Sequence, residues 1–185
     1  MSWITFSKQL SNDNEYPRVL TYINVQITYL HLSFHRDIFD YKDIKCFSFF
    51  DSSFIYFIIN VYSDNQQLAL KYLKNTEVNI NNVLIMTSNF NIRDRDWDSS
   101  YLHYLAPSDI LTDVANSFEL VLSFYIHQVL MRYIDNSNNS NSVIDLIFLQ
   151  PDLVEVDNYL ILSELWYSSD HAPLTVDISI NEEFI

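Results

Sequence analysis

Three short segments place polar side chains directly after, or inside, apolar runs. Ser88-Asn89-Phe90-Asn91 follows Val83–Thr87 (VLIMT), Asp145 interrupts VIDLIF, and Ser169-Asp170-His171 precedes the stretch Ala172–Ile180. Strand ends are where open α/β sheets build their sites. An Asp within an apolar strand is costly unless something pairs with it. A carboxylate beside an imidazole orients it as a base. A neighbouring Asp offers hard oxygen ligands of the kind Mg²⁺ prefers, and Asn can hold a phosphate oxygen.

Those groups need strands that end at the right places, and the chain alternates strand and helix signals. Val19–Leu30 reads as a strand or strand pair, followed by a charged loop over His35–Lys45. Phe47–Phe50 and Phe54–Tyr62 read as buried strands. Asp64 and Gln67 have capping-box spacing for a helix that runs to about Lys74. Val83–Thr87 is a strand covered on both faces, and Ser88–Ser100 a loop. Pro107 and Ser108 open a second helix that ends near Asn116. Glu119–Phe124, Val143–Leu149 and Ala172–Ile180 supply the remaining strands. No linker divides residues 1–185, so one α/β domain is expected, with 1–17 as a disordered start and 135–142 (DNSNNSNS) as a mobile loop.

Composition bounds the function. At 185 residues, with 49% hydrophobic and 18% charged residues, the chain can bury a working core. It has no glycine, where average usage predicts about 13, so Gly-rich phosphate loops are excluded. The net charge of −14, with only 10 Lys and Arg, argues against broad electrostatic attraction to nucleic acid. The lone cysteine, Cys46, cannot form an internal disulfide and favours an intracellular protein. The longest apolar run, Phe54–Ile59, is too short to span a bilayer, and Met1–Leu10 does not read as a signal peptide.

In order and spacing, these segments resemble the endonuclease/exonuclease/phosphatase superfamily, and in particular the endonuclease domains of LINE-type retrotransposons. Ser88-Asn89-Phe90-Asn91 stands where that family has Gly-Asp-Phe-Asn, and Trp97-Asp98 falls where its Trp follows. Ser142–Leu146 (SVIDL) matches its Ser-x-x-Asp-Leu segment, Ser169-Asp170-His171 its Ser-Asp-His terminus, and Asn60-Val61-Tyr62 its Asn-x-Tyr strand end. The resemblance covers about residues 18 to 180. It implies two packed β-sheets flanked by helices, incomplete at the N-terminus, and hydrolysis of phosphodiesters or phosphomonoesters by water with Mg²⁺ as Lewis acid. His171 would be the base or phosphate contact, with Asp145 as its orienting partner. Asp170 would be a metal ligand or water-orienting carboxylate, Asn91 would stabilise phosphoryl oxygens, and Tyr62 would touch the phosphate. DNA is the implied partner.

Departures from the pattern point to an impaired copy. Asn89 replaces the motif carboxylate, and a neutral amide cannot accept a proton, a deficit of roughly 10²–10⁴-fold in rate. The family's Asn and Glu metal ligands on the opening strands find no match, since Glu15 lies in the polar stretch Ser11–Pro17. Hydrophobic faces such as Phe54–Tyr62 would then be partly exposed. Phe118 stands where the related segment commonly has Gly, so the turn at Ser117-Phe118 is expected to be remodelled. Three functions remain open: an impaired endonuclease, an active nuclease or phosphatase with a substitute carboxylate, and a non-catalytic interaction remnant. Outside the motifs, Arg93–Asp96 reads as a solvated loop and Trp97 as a packing anchor. His31, His35, His103 and His127 read as surface or packing residues.

Overall fold

The computed structural model describes residues 3–6, 21–24, 33–35, 38–51, 54–78, 80–98, 101–102, 106–123, 143–161 and 174–180. Its centre is a six-stranded mixed sheet in the order β3-β4-β5-β6-β8-β7. These strands are β3 (Ser33–His35), β4 (Ile44–Asp51), β5 (Phe54–Val61), β6 (Val83–Asn89), β7 (Val121–Leu122) and β8 (Asp145–Leu149). Only β5 and β6 pair in parallel, and the helix α1 (Leu68–Asn75) supplies the crossover between them. A second helix, α2 (Ala106–Ser117), connects β6 to β7. Two further antiparallel pairs are present: β1 (Trp3–Phe6) with β2 (Thr21–Asn24), and β9 (Val154–Ile161) with β10 (Leu174–Ile180). The α/β expectation holds.

Several elements differ from the sequence reading. The β4 strand begins at Ile44, inside the stretch read as a charged loop, because Phe39, Asp43 and Lys45 are buried there. Charge density hid the first half of a strand, although Ile44, Cys46, Phe47 and Phe49 are all buried. Trp3–Phe6 forms a strand within the segment read as a disordered start. The strand β9, with Glu155, Asp157 and Asn158 among its residues, was not anticipated at all. Residues 135–142 lie outside the described residues.

Strand alternation divides the sheet into two chemistries. Met86 pairs directly with Phe148, and Ile59 with Met86, so these share one face. Phe148 borders the same cavity as Thr112, Ala115 and Asn116 of α2, which identifies that face as the helix-covered one. Ala69, Leu70 and Leu73 of α1 and Leu111, Val114 and Ala115 of α2 join it in one apolar core. The opposite face carries Lys45, Asn60 and Thr87 in one cross-strand row, with Asn89 and Asp145 in the next row along the β6–β8 pair. At the far end of the β4–β5 hairpin, Phe50, Phe54 and Ile55 are exposed, but this is the hairpin tip rather than an open face, since Tyr56, Ile59 and Val61 are buried.

The missing glycines leave a visible trace. Gln67, Asn82, Asn91 and Glu119 hold positive φ angles of 57°, 58°, 51° and 58°. Asn tolerates this region, whereas Gln and Glu carry a steric cost of roughly 1–2 kcal/mol each. At the end of α2, Glu119 N–H donates to Asn116 O (3.0 Å) and Leu120 N–H to Ala115 O (3.0 Å). This is the Schellman bond pair, with Glu119 as the left-handed residue. Phe118 does not take a positive φ; the strained position falls one residue later, where a side chain can point to solvent.

Candidate functional site

The site residues sit where β5 and β6 end and β8 begins. Asn89 is the last residue of β6 and lies opposite Asp145, the first of β8. The run read as ending at Thr87 therefore continues for two residues, since Ser88 and Asn89 still pair with Leu146 and Asp145. Past Asn89 the chain turns sharply, and Asn91 adopts the left-handed conformation. Its N–H donates to Asn89 Oδ1 at 2.9 Å, closing an Asx-type turn. Its side-chain Nδ2 donates to Ser63 O at 2.7 Å. In return, Ser63 N–H donates to Asn89 O at 3.0 Å. Tyr62, just before Ser63, donates its N–H to Asp43 O at 2.9 Å.

A buried polar pair fixes this edge from below. Ser63 Oγ donates to Gln67 Oε1 at 2.5 Å, and Gln67 Nε2 donates to Phe90 O at 3.4 Å. Both side chains are buried, so their polar groups must be paired within the protein. The expected capping box is thereby corrected. Gln67 is the N-cap of α1 in the left-handed conformation and makes no side-chain cap bond, because its amide is committed to Ser63 and Phe90. Asp64 still serves the helix start, with Oδ1 accepting from Gln66 N–H (3.0 Å) and Leu68 N–H (3.5 Å).

The loop beyond the motif is less solvated than its charges suggested. Asp94 and Asp98 are each 1% exposed, while Arg95 and Asp96 face solvent. Asp94 O accepts from Trp97 N–H and Asp98 N–H, and Asp94 Oδ1 from Asp96 N–H. Trp97 is a packing anchor, buried with its Nε1 donating to Ile92 O at 3.1 Å. Arg93 binds the Asp98 carboxylate rather than extending into solvent.

Four of the six proposed site residues thus gather on one edge: Tyr62, Asn89, Asn91 and Asp145. His171 and Asp170 lie outside the described residues. Sequence reasoning missed Ser63 and Gln67, whose only signal was a spacing that fits a cap equally well. It also missed Lys45, buried on the site face with Nζ donating to Lys42 O at 3.1 Å. His35 is a packing residue, hydrogen bonded through Nε2 to Ser48 Oγ (2.6 Å) and tilted against the Phe57 ring. Among the described residues, no group of three or more His, Cys, Asp or Glu could hold a metal ion.

The site thus joins a mixed sheet, polar residues at its strand ends and an Asn-Phe-Asn turn opposite an Asp in one α/β domain. The endonuclease domain of TRAS1, a telomere-specific non-LTR retrotransposon, superposes with a TM-score of 0.60 at 16% sequence identity, over 80% of this chain and 67% of that one. At that identity the likeness is one of fold. Residues 56–175, well over half of the chain, match the endonuclease-reverse transcriptase family, and the chain belongs to that family. No curated protein sequence matches it. Among the described residues, no helix is long and apolar enough to cross a membrane.

Proposed function

We propose that this domain is a Mg²⁺-dependent phosphodiesterase of the endonuclease type, of retrotransposon descent, with nucleic acid as substrate and with chemistry impaired in this copy. One observation carries the impairment. Asn89 occupies the strand-end position opposite Asp145, and its Oδ1 accepts the Asn91 N–H at 2.9 Å. An amide in that place holds the turn but cannot take a proton from an attacking water.

The roles of the other residues are those the family resemblance implies. Asp145 orients the His171 imidazole, and His171 acts as base or phosphate contact. Asp170 is the metal-side carboxylate. Asn91 and Tyr62 face the phosphoryl oxygens from the edge built by Ser63 and Asn89. The described residues alone do not fit a Mg²⁺ ion: no three His, Cys, Asp or Glu among them come together to hold one, and the carboxamides of Asn89 and Asn91 do not supply the anionic oxygen that hard divalent cations need. No step is therefore assigned to the ion.

The test is nicking of supercoiled DNA by the purified chain, with Mg²⁺ and with chelator. Turnover barely above the chelated control is expected, with little recovered in Asn89→Asp, because one restored carboxylate does not complete a metal site. Vigorous turnover that disappears in His171→Ala would overturn the impairment. Absence of both nicking and Mg²⁺ binding, together with concentration-dependent oligomers, would favour a non-catalytic interaction remnant.

A further inference from the structure

Beyond the edge itself, the Arg93–Asp98 pair has a geometry that the family motif does not explain. The Asp98 side chain is 1% exposed, and a buried carboxylate is tolerated only when its oxygens are well paired. Its Oδ2 receives three donors: Arg93 Nε at 3.1 Å, Arg93 Nη2 at 3.0 Å and the backbone N–H of Val143 at 3.3 Å. Arg93 is held from another side by the Tyr101 ring, 4.8 Å from the guanidinium carbon to the ring centroid. Val143 is itself buried and lies two residues before Asp145. Its N–H precedes the β8 ladder and needs an acceptor.

We propose that Arg93 and Asp98 are positioning residues that set Asp145 against the Asn89–Asn91 turn. This deepens the endonuclease reading above and rests on it. Three successive residues entering β8 are tied to the segment leaving β6. Val143 N–H is held by Asp98, Ile144 O accepts from Phe90 N–H at 3.0 Å, and Asp145 pairs with Asn89. Without the Asp98 bond, β8 would be pinned from Ile144 onward only, and the strand entry carrying Asp145 could shift. Displacement of a site group by about 1 Å can cost on the order of 10²-fold in rate. The Asp94-centred turn holds Asp98 in register, because Asp94 O accepts the N–H groups of both Trp97 and Asp98. The Arg93 side chain, with Nε and Nη2 both on Asp98, serves the fold before any nucleic acid arrives.

Amide hydrogen exchange and nicking kinetics on the full chain test this together. In Asp98→Ala, exchange at Val143 and through residues 144–146 should rise roughly tenfold or more, while Leu70 and Leu73 in α1 stay protected. Asp98→Asn, which keeps an acceptor but loses the charge, should fall between the two. Residual Mg²⁺-dependent nicking should lose kcat with KM unchanged. Unchanged exchange at 143–146, or a rise spread equally over α1, would overturn the proposal. So would a raised KM with kcat preserved, which would make the pair a substrate contact. If the native chain does not nick DNA at all, the endonuclease reading falls while the exchange pattern still decides whether the clamp exists.

Discussion

On one face of the β6–β8 pair, Met86, Leu146 and Phe148 are buried in the apolar core; on the other, Ile147 and Leu149 are buried as well, and polar residues (Thr87, Asn89 and Asp145) collect only toward the strand ends. The backbone is shared and the side chains simply alternate. Leu146 is 1% exposed and belongs to the core, whereas its neighbour Asp145 is half-buried. The covered face tolerates little change in volume, since packed interiors do not refill a void. The polar residues at the strand ends are constrained through hydrogen bonds instead, and they can be replaced without emptying the core. Stability and site chemistry are thus carried by adjacent residues of the same strand.

Substitutions on either side of that division should separate the two. Leu146→Ala should cost about 2–5 kcal/mol in urea or thermal unfolding, while Asp145→Asn, one residue away, should cost less than about 1 kcal/mol. Equal losses would mean that the polar strand end is as much a part of the core as the covered face. Cys46, which shares the covered face with Ile59 through direct pairing, extends the contrast to pH. Burial pushes its thiol up to about 12 from an ordinary value of 9.0. The folded state then favours the neutral thiol, so the stability it contributes is complete below pH 9 and is lost as pH rises from 9 toward 12. Alkaline unfolding followed by circular dichroism should show that slope, and Cys46→Val should flatten it.

The smallest expected effect compares two left-handed residues. Glu119 serves only the end of α2, and Glu119→Gly should stabilise the chain by about 1 kcal/mol by removing the Cβ clash, less what the 3.3 Å bond from Gln150 Nε2 contributes. Asn91→Gly should bring no such gain, because Asn already tolerates this conformation and its amide bonds Ser63. A gain at Asn91 matching that at Glu119 would show that the site turn is held under the same strain as an ordinary helix end.

Several parts of the site were legible because their signals are local. A short apolar run broken by Asn-Phe-Asn announces a strand end, and an Asp within an apolar run announces a polar partner nearby, although β8 begins at Asp145 rather than at Val143. The second half of β4 was legible as Phe47–Phe50, but its start at Ile44 and the whole of β9 were not, because charged and polar residues interrupt the apolar pattern there. Arg93–Asp96 looked solvated for the same reason: the sequence shows charges that cancel, and it cannot show that Asp94 and Asp98 turn inward to hold backbone N–H groups. Gln67 carried two compatible meanings at one spacing, and only the position of Ser63 and Phe90 selected between them.

By itself the amino-acid sequence determined the α/β class, the order of the motifs and the exclusion of glycine-dependent phosphate loops, since these follow from residue type and spacing along the chain. Tertiary structure alone decided that Asn89 faces Asp145, that Asn91 closes back on Ser63, and that Asp98 reaches Val143 across 45 residues. Those contacts depend on strand register and on the face each side chain takes. A shift of one residue in pairing would turn every one of them to the other side of the sheet.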